Sequence, residues 1–307
     1  MHRMKLLITG ISGFIGRSLV EEIVNRELPI DIYGIDIKQP LFHNPLYLQR
    51  ITLSIVDIRD KEALNTYFID KHFDGVVHLA AISRVVDAEN DKSNCIAVNL
   101  QGTKYLVDIL AKSTDTWLIF GSSREVYGEQ KQFPVKESAP KQPINIYGEC
   151  KLGGEQYIKQ NLKRYAILRF SNVYGNDYDI EGRVIPTFVK RALTNRILYL
   201  EGGEQTIDFT HISDTVSCIS DTIRLLQTNQ IITEEMHISP GKTNKITDII
   251  CYLEHITGRK LKTCIRDKRH YDVEHFVGDS SHREQILGKK SFICLKDGIE
   301  QMIAQSK

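Results

Sequence analysis

The sequence predicts an α/β fold: a doubly wound parallel sheet with helices on both faces, completed by a smaller second lobe. Three observations carry this. Strand-like apolar runs alternate with helix-like segments through the first half of the 307 residues. A glycine-rich turn joins the first such run to the first helix. After about residue 171 the alternation breaks into a Gly-, Asn- and Asp-rich stretch. Buried parallel strands read as near-continuous apolar runs, and their crossovers are helices.

The strand-like runs are Lys5–Ile8, Ile30–Ile35, Ile51–Val56, Gly75–Leu79, Thr116–Phe120 and Tyr165–Phe170. Between them lie helix-like segments at Phe14–Arg26, Asp60–Phe73, Cys95–Ser113 and Ile146–Leu162. Beyond them, Ser171–Glu204 surrounds one amphipathic run, Ile185–Leu193, before a strand-like Thr206–His211 and a helix-like Ser213–Gln227. We expect that last strand–helix unit to return to the sheet. The expected division is 1–172 with 206–234 for the sheet domain, and 173–205 with 235–307, read as short helices and loops, for the smaller lobe.

Composition narrows the class. Hydrophobic content of 41% and charged content of 26% are those of an ordinary globular protein. A net charge of +1 gives no electrostatic footprint for nucleic acid. No apolar run approaches the roughly 20 residues of a membrane span, and Met1–Lys5 passes straight into a strand without a signal-peptide pattern. The six cysteines are scattered without a C-x-x-C pair, and no histidine stands at metal-ligand spacing. The expectation is free thiols in a reducing cytoplasm and no metal. His78 and His211, each in a strand-like run, read as structural.

The first strand runs into Thr9-Gly10-Ile11-Ser12-Gly13-Phe14-Ile15-Gly16. This G-x-x-G-x-x-G turn permits close backbone approach, and the following helix offers its N-terminal amides to a pyrophosphate. The second strand ends in Asp36, 20 residues after Gly16. A carboxylate there accepts hydrogen bonds from a ribose and repels a 2′-phosphate, so the predicted cofactor is NAD rather than NADP. Asp57-Ile58 closes the third strand and flanks the adenine side. Tyr147 and Lys151 stand at i, i+4, on one face of a helix. An ammonium beside a phenol favours the phenolate, and a phenol so tuned can take a proton from a sugar hydroxyl.

These motifs occur together and in order with VVHLAA at 76–81, SSREVYG at 122–128, LRFSNVYG at 168–175 and GGEQTIDFTHISD at 202–214. On them the chain resembles an extended short-chain dehydrogenase/reductase of the nucleotide-sugar epimerase/dehydratase family, with a Rossmann cofactor domain. The resemblance implies that Tyr147 is the general base, that Lys151 tunes it and holds the ribose, and that Ser123 bonds the substrate hydroxyl. It implies cofactor contacts at Gly10, Ser12, Gly13, Phe14, Ile15, Gly16, Asp36, Asp57, Ile58, Leu79, Ala80 and Ala81, with Asn99 supporting the site from its helix. Substrate contacts are implied at Ser83, Arg84, Ser123, Arg124, Asn172, Arg183 and Arg269. It also implies a homodimer pairing the helices at 95–113 and 146–162 into a four-helix bundle. Tyr105, Leu106 and Ile109 belong either to that interface or to the core. The chain departs from the pattern at Ile207, where relatives carry an arginine on the substrate diphosphate; Arg183 is the candidate to compensate.

Two residues leave the reaction open. Glu125 matches the base of family dehydratases and decarboxylases, whereas many C4 epimerases carry a small residue there. Arg124 stands where many 4,6-dehydratases carry the aspartic acid that protonates the leaving hydroxyl, and a guanidinium is a poor acid. Arg124 either pairs with Glu125 or meets an anionic substrate group. The expectation is a C4 epimerase working through a 4-keto sugar. A 4,6- or 5,6-dehydratase is the alternative, followed by a decarboxylase, a reductase or a non-catalytic NAD-binding regulator.

Overall fold

In the computed structural model, residues 3–180 and 182–305 are described. Six strands alternate with helices: β1 (Met4–Thr9), α1 (Phe14–Asn25), β2 (Ile30–Asp36), β3 (Ile51–Ile55), α2 (Lys61–Phe68) and β4 (Gly75–His78) come first. A long interrupted helix follows, made of α3 (Val85–Asn90), α4 (Lys92–Cys95), a π-helical segment at Ile96–Gly102 and α5 (Thr103–Leu110). Then come β5 (Trp117–Ser123), α6 (Ile146–Asn161) and β6 (Tyr165–Phe170). Local sequence sets several ends. Asp60 caps α2 by accepting from the amides of Glu62 and Ala63 at 3.0 and 2.9 Å. Asn145 caps α6 through the Gly148 amide at 2.8 Å.

The remaining elements are β7 (Asn172–Tyr174), α7 (Val184–Leu193), β8 (Leu198–Glu201), β9 (Thr206–His211) and α8 (Ile212–Gln227). The chain ends with β10 (Thr233–Ile238), β11 (Thr243–Lys245), α9 (Ile246–Thr257), β12 (Thr263–Arg266), α10 (Ser281–Leu287) and α11 (Leu295–Gln305). The main sheet has seven strands in the order β10-β6-β5-β4-β1-β2-β3, all paired in parallel. The order reverses direction at β1 and β4, the switch point whose carboxyl-end crevice binds ligands in doubly wound sheets.

One apolar cluster joins α1 and α8 to one face of this sheet; another joins α2, α5 and α6 to the other face. A separate cluster unites α7, α9 and α11 with β8 and β9 as the core of the smaller lobe. The strand-like segments of the first half fall where the sequence placed them, with one informative extension, whereas α2 stops at Phe68, short of Phe73, and the helical stretch expected from Cys95 already begins, interrupted, at Val85. β5 continues to Ser123, so both serines of SSREVYG are still in the strand.

The strand–helix unit at 206–227 behaves differently from the expectation. Its helix α8 does return, packing on α1. Its strand β9 instead pairs with β7 and β11 in a small sheet of three. The seventh strand of the main sheet is β10, paired with β6 from Thr233 to Ile238. The expected boundary after residue 234 falls inside it. Leu106 is fully buried within its own chain, so it belongs to the core, while Tyr105 and Ile109 are half-buried. No helix among the described residues is long and apolar enough to cross a membrane.

Candidate active site

A cleft of about 890 Å³ runs along the carboxyl ends of β1, β2, β4, β5 and β6 and under the smaller lobe. Its first wall is the glycine turn. Gly10 has φ +71°, and a Cβ there would stand 2.5 Å from the Ala80 amide nitrogen. A Cβ on Gly16 would meet the Gly10 carbonyl at 2.5 Å. The backbone packs as closely as glycine permits, and the first residues of α1 line the cleft. Asp36 is fixed beside the turn: its Oδ2 accepts from the Ser12 amide at 2.9 Å and its Oδ1 from the Ile37 amide at 2.8 Å.

Gly10, Gly13, Phe14, Ile15, Gly16 and Asp36 line the cleft, as do Asp57, Ile58, Leu79, Ala80 and Ala81. Asp57 is held by Arg59, whose Nε stands 3.1 and 3.0 Å from its two oxygens. Ser12 and Asn99 do not line it. The Ser12 hydroxyl turns to the Lys38 carbonyl at 2.6 Å, so this residue acts through its amide on Asp36. Asn99 is buried in the π-helical segment and grips Ile82 at both ends, accepting from its amide at 2.8 Å and donating to its carbonyl at 2.9 Å. It positions the loop after β4. His78 is structural, as expected: it sits between the hydroxyls of Thr9 and Thr103 at 2.6 and 2.9 Å, and burial pushes its pKa down to about 3. His211 caps α8, accepting from the Ser213 amide at 3.3 Å.

The centre of the cleft gathers Ser123, Arg124, Glu125, Tyr147 and Lys151. Burial pushes the Tyr147 phenol up to about 12, against the lowering influence of the Ser123 hydroxyl and the Arg183 guanidinium. Burial also lowers the Lys151 ammonium, to about 8. Its Nζ donates to the Gly121 carbonyl at 2.7 Å and lies 5.9 Å from the centre of the Tyr147 ring. The phenol thus keeps its proton in the resting protein, while Lys151, four residues on in the same helix, is engaged with the Gly121 carbonyl.

Arg124 and Glu125 pair with each other. Arg124 Nη2 stands 2.9 Å from Glu125 Oε1, with side chains only 7% and 8% exposed. Glu125 Oε2 accepts from Asn145 Nδ2 at 2.8 Å, so both carboxylate oxygens are engaged. Arg124 Nε donates to Asn172 Oδ1 at 3.1 Å, and the guanidinium lies over the Phe276 ring at 5.7 Å. Behind this pair a buried network fixes the strand end. Ser122 donates to Glu155 at 2.6 Å, and Arg169 clasps Glu155 at 2.8 and 2.6 Å while reaching the Tyr127 hydroxyl at 2.9 Å.

Ser83, Arg84, Asn172, Arg183 and Arg269 also line the cleft. Arg183 bridges to the Ser83 hydroxyl at 3.1 Å and to Asp179 at 3.3 Å; Arg84 donates to the Gly182 carbonyl at 3.2 Å. Arg269 is paired with Asp272 at 2.7 Å. Sequence reasoning passed over Asn145, Arg191, Tyr199 and Arg266. An Asn just before a helix signals a cap, but its second contact with Glu125 is tertiary. The other three come from α7, β8 and β12, and only the folded lobe brings them to one wall.

Comparison with known proteins agrees with this geometry. Residues 6–232 match the model of the NAD dependent epimerase/dehydratase family. The chain is similar to the "Uncharacterized UDP-glucose epimerase YtcB" of Bacillus subtilis, with 30% identity over 98% of this chain and 97% of the relative. It is also similar to the UDP-glucuronic acid 4-epimerase of Bacillus cereus, solved with UDP-glucuronic acid and NAD. That structure has 27% identity, a TM-score of 0.87 and 98% coverage of both chains. The NDP-hexosamine 5,6-dehydratase TunA shares the fold at 22% identity, with a TM-score of 0.86 over 99% of this chain and 98% of that one. With its glycine turn, strand-end Asp36 and Tyr147/Lys151 pair set along one cleft, the chain belongs to the NAD dependent epimerase/dehydratase family.

Proposed function

We propose that the protein is a nucleotide-sugar C4 epimerase. The observation that carries this reading is the Glu125 carboxylate, whose two oxygens are taken by Arg124 at 2.9 Å and Asn145 at 2.8 Å. Each oxygen keeps a further lone pair, but the carboxylate is held between Arg124 and Asn145, an arrangement that suits an orienting group better than a mobile base for C5. Tyr147 and Ser123 remain as the groups that handle a sugar hydroxyl. The glycine cradle, which a Cβ at Gly10 would fill, and the fixed Asp36 carboxylate fit NAD.

Held by the glycine turn and Asp36, NAD would supply a reversible hydride acceptor for the sugar carbon. Tyr147 then takes the C4 hydroxyl proton, with Lys151 favouring the phenolate and Ser123 holding the oxygen. The 4-keto sugar turns over within the cleft, and as the hydride returns to C4 on its opposite face Tyr147 gives the proton back to the C4 oxygen. Arg124 orients substrate through Asn172 and Glu125. Because the similar proteins are named for UDP-sugars, a UDP-sugar is the proposed substrate. The residues from Gly10 to Asn172 would take the cofactor and the sugar, and the smaller lobe the nucleotide.

The proposed assembly is a homodimer through α5 and α6, supported by the half-buried Tyr105 and Ile109; light scattering of the purified protein tests it. The proposed setting is a reducing cytoplasm, supported by six free cysteines. The deciding experiment for the reaction is incubation with UDP-, dTDP-, GDP- and CDP-sugars and NMR of the products. A C4 epimer is expected. A 4-keto-6-deoxy or 5,6-unsaturated product would replace this reading with a dehydratase.

A further inference from the structure

We infer that Arg191, Tyr199 and Arg266 form an anion clamp that takes the substrate diphosphate in place of an arginine at position 207. This deepens the reading above and rests on it. Ile207 is 7% exposed and packs with Leu200 and Phe209 in the core of the smaller lobe, so β9 offers no charge to the cleft at that position. The charge comes from the neighbouring wall. Two guanidinium groups lie against the Tyr199 ring, Arg266 at 3.7 Å from its centre and Arg191 at 5.1 Å. All three residues line the cleft, as does Arg269.

The clamp is built from three elements. Arg191 lies in the last turn of α7 and is anchored by its Nη1, which donates to the Ile197 carbonyl at 2.7 Å. Tyr199 is in β8, and Arg266 ends β12, which pairs in parallel with β8. An aromatic face holds a guanidinium flat and leaves its in-plane N–H groups available for a bidentate anion. Carboxylates offset this charge only in part. Glu201 stands 3.8 Å from Arg266, and Asp272 holds Arg269 at 2.7 Å. Along this wall three guanidinium groups thus face two carboxylates, and the excess suits a dianionic diphosphate. The glycine turn, on the β1 side of the cleft, serves the cofactor's pyrophosphate separately.

The test uses Arg191→Met, Arg266→Met and the double variant, titrated calorimetrically with UDP, uridine and NAD. Each single variant should lose at least tenfold in UDP affinity, and the double variant more. Uridine and NAD should bind as in the native protein, and turnover should show a raised KM with kcat within threefold. A double variant that binds UDP within twofold of the native protein overturns the clamp and leaves the epimerase reading standing. Parallel loss of NAD and UDP binding also overturns it, because the arginines would then be structural. Native protein that binds none of UDP, dTDP, GDP and CDP would overturn the nucleotide-sugar reading itself.

Discussion

Replacing Glu125 by glutamine separates an orienting carboxylate from a catalytic one. The side chains are nearly isosteric, so packing changes little. The hydrogen bonds do change. The glutamine carbonyl can still accept from Asn145 Nδ2, now 2.8 Å from Oε2, but its amide then faces Arg124 Nη2, now 2.9 Å from Oε1. Two donors meet, and a buried ion pair is lost. Asn145 cannot turn to help, because its Oδ1 caps α6 at the Gly148 amide. Breaking such a pair costs roughly 3–5 kcal/mol of stability. The assay therefore belongs at 20 °C, after a melting curve has established that the variant is folded there. If Glu125 only orients substrate and Arg124, turnover should remain within about tenfold, a loss under about 1.4 kcal/mol in the barrier. Removal of a general base costs about 10²–10⁴-fold. The native enzyme run in deuterated water should leave C5 of the product free of deuterium. Deuterium at C5, or a variant that reduces NAD and stalls at the 4-keto sugar, would refute the orienting role and the epimerase with it.

Four further outcomes follow from the same geometry. Tyr147→Phe should still bind NAD and nucleotide by titration and lose about 10²–10⁴-fold in kcat, because among the described residues the cleft offers no second phenol beside Lys151. NAD should bind at least ten times more tightly than NADP, a difference of about 1.4 kcal/mol, since the Ser12 and Ile37 amides lock the Asp36 charge where a 2′-phosphate would sit; equal calorimetric dissociation constants would remove Asp36 from the ribose site. Gly10→Ala must push its Cβ against Ala80 at 2.5 Å and should weaken NAD binding more than tenfold in a fluorescence titration. Asp208→Asn addresses pH. Burial raises the Asp208 carboxyl to about 7, so the folded state holds its proton above the unfolded value of 3.8. Its stabilising contribution is full below pH 3.8 and is lost as pH rises toward 7. The asparagine variant should therefore gain melting temperature over the native protein between pH 4 and 7 and show a constant gain above; a gain that does not vary with pH would refute the shift.

The sheet was legible because β1, β4, β5 and β6 are mostly apolar and buried on both faces, and β2 and β3, though alternating, are rich in isoleucine and bounded by turn residues. Asp36, the glycine turn and the Tyr147/Lys151 pair were legible because each works at short sequence separation. β9 was misread for a physical reason: Thr206–His211 alternates and is buried as the main-sheet strands are, and only its partners distinguish a sheet of three from a sheet of seven. Ser12 was named as a cofactor contact, and its amide instead holds Asp36 while its hydroxyl turns to the Lys38 carbonyl, partners that residue type does not encode. Arg124 was read with two possible partners, and its choice of Glu125 depends on Asn145, 20 residues away in sequence, holding the other oxygen. Arg191, Tyr199 and Arg266 meet only after α7, β8 and β12 have packed, so nothing local announced them.

The π-helical segment at Ile96–Gly102 changes how this stretch can be compared with others. It holds one residue more per turn than the α-helical ladder before and after it, a form of insertion often found at functional sites. A helical wheel drawn straight through from Lys92 to Leu110 would therefore assign faces out of phase by about 100° on one side of the bulge. Asn99 reaches Ile82 from inside that extra turn. Excising a single residue there would regularise the helix and swing the asparagine off the loop it holds. Helix regularity and site geometry are thus in opposition at this point, and a gap placed here in an alignment moves a residue's direction as well as its number.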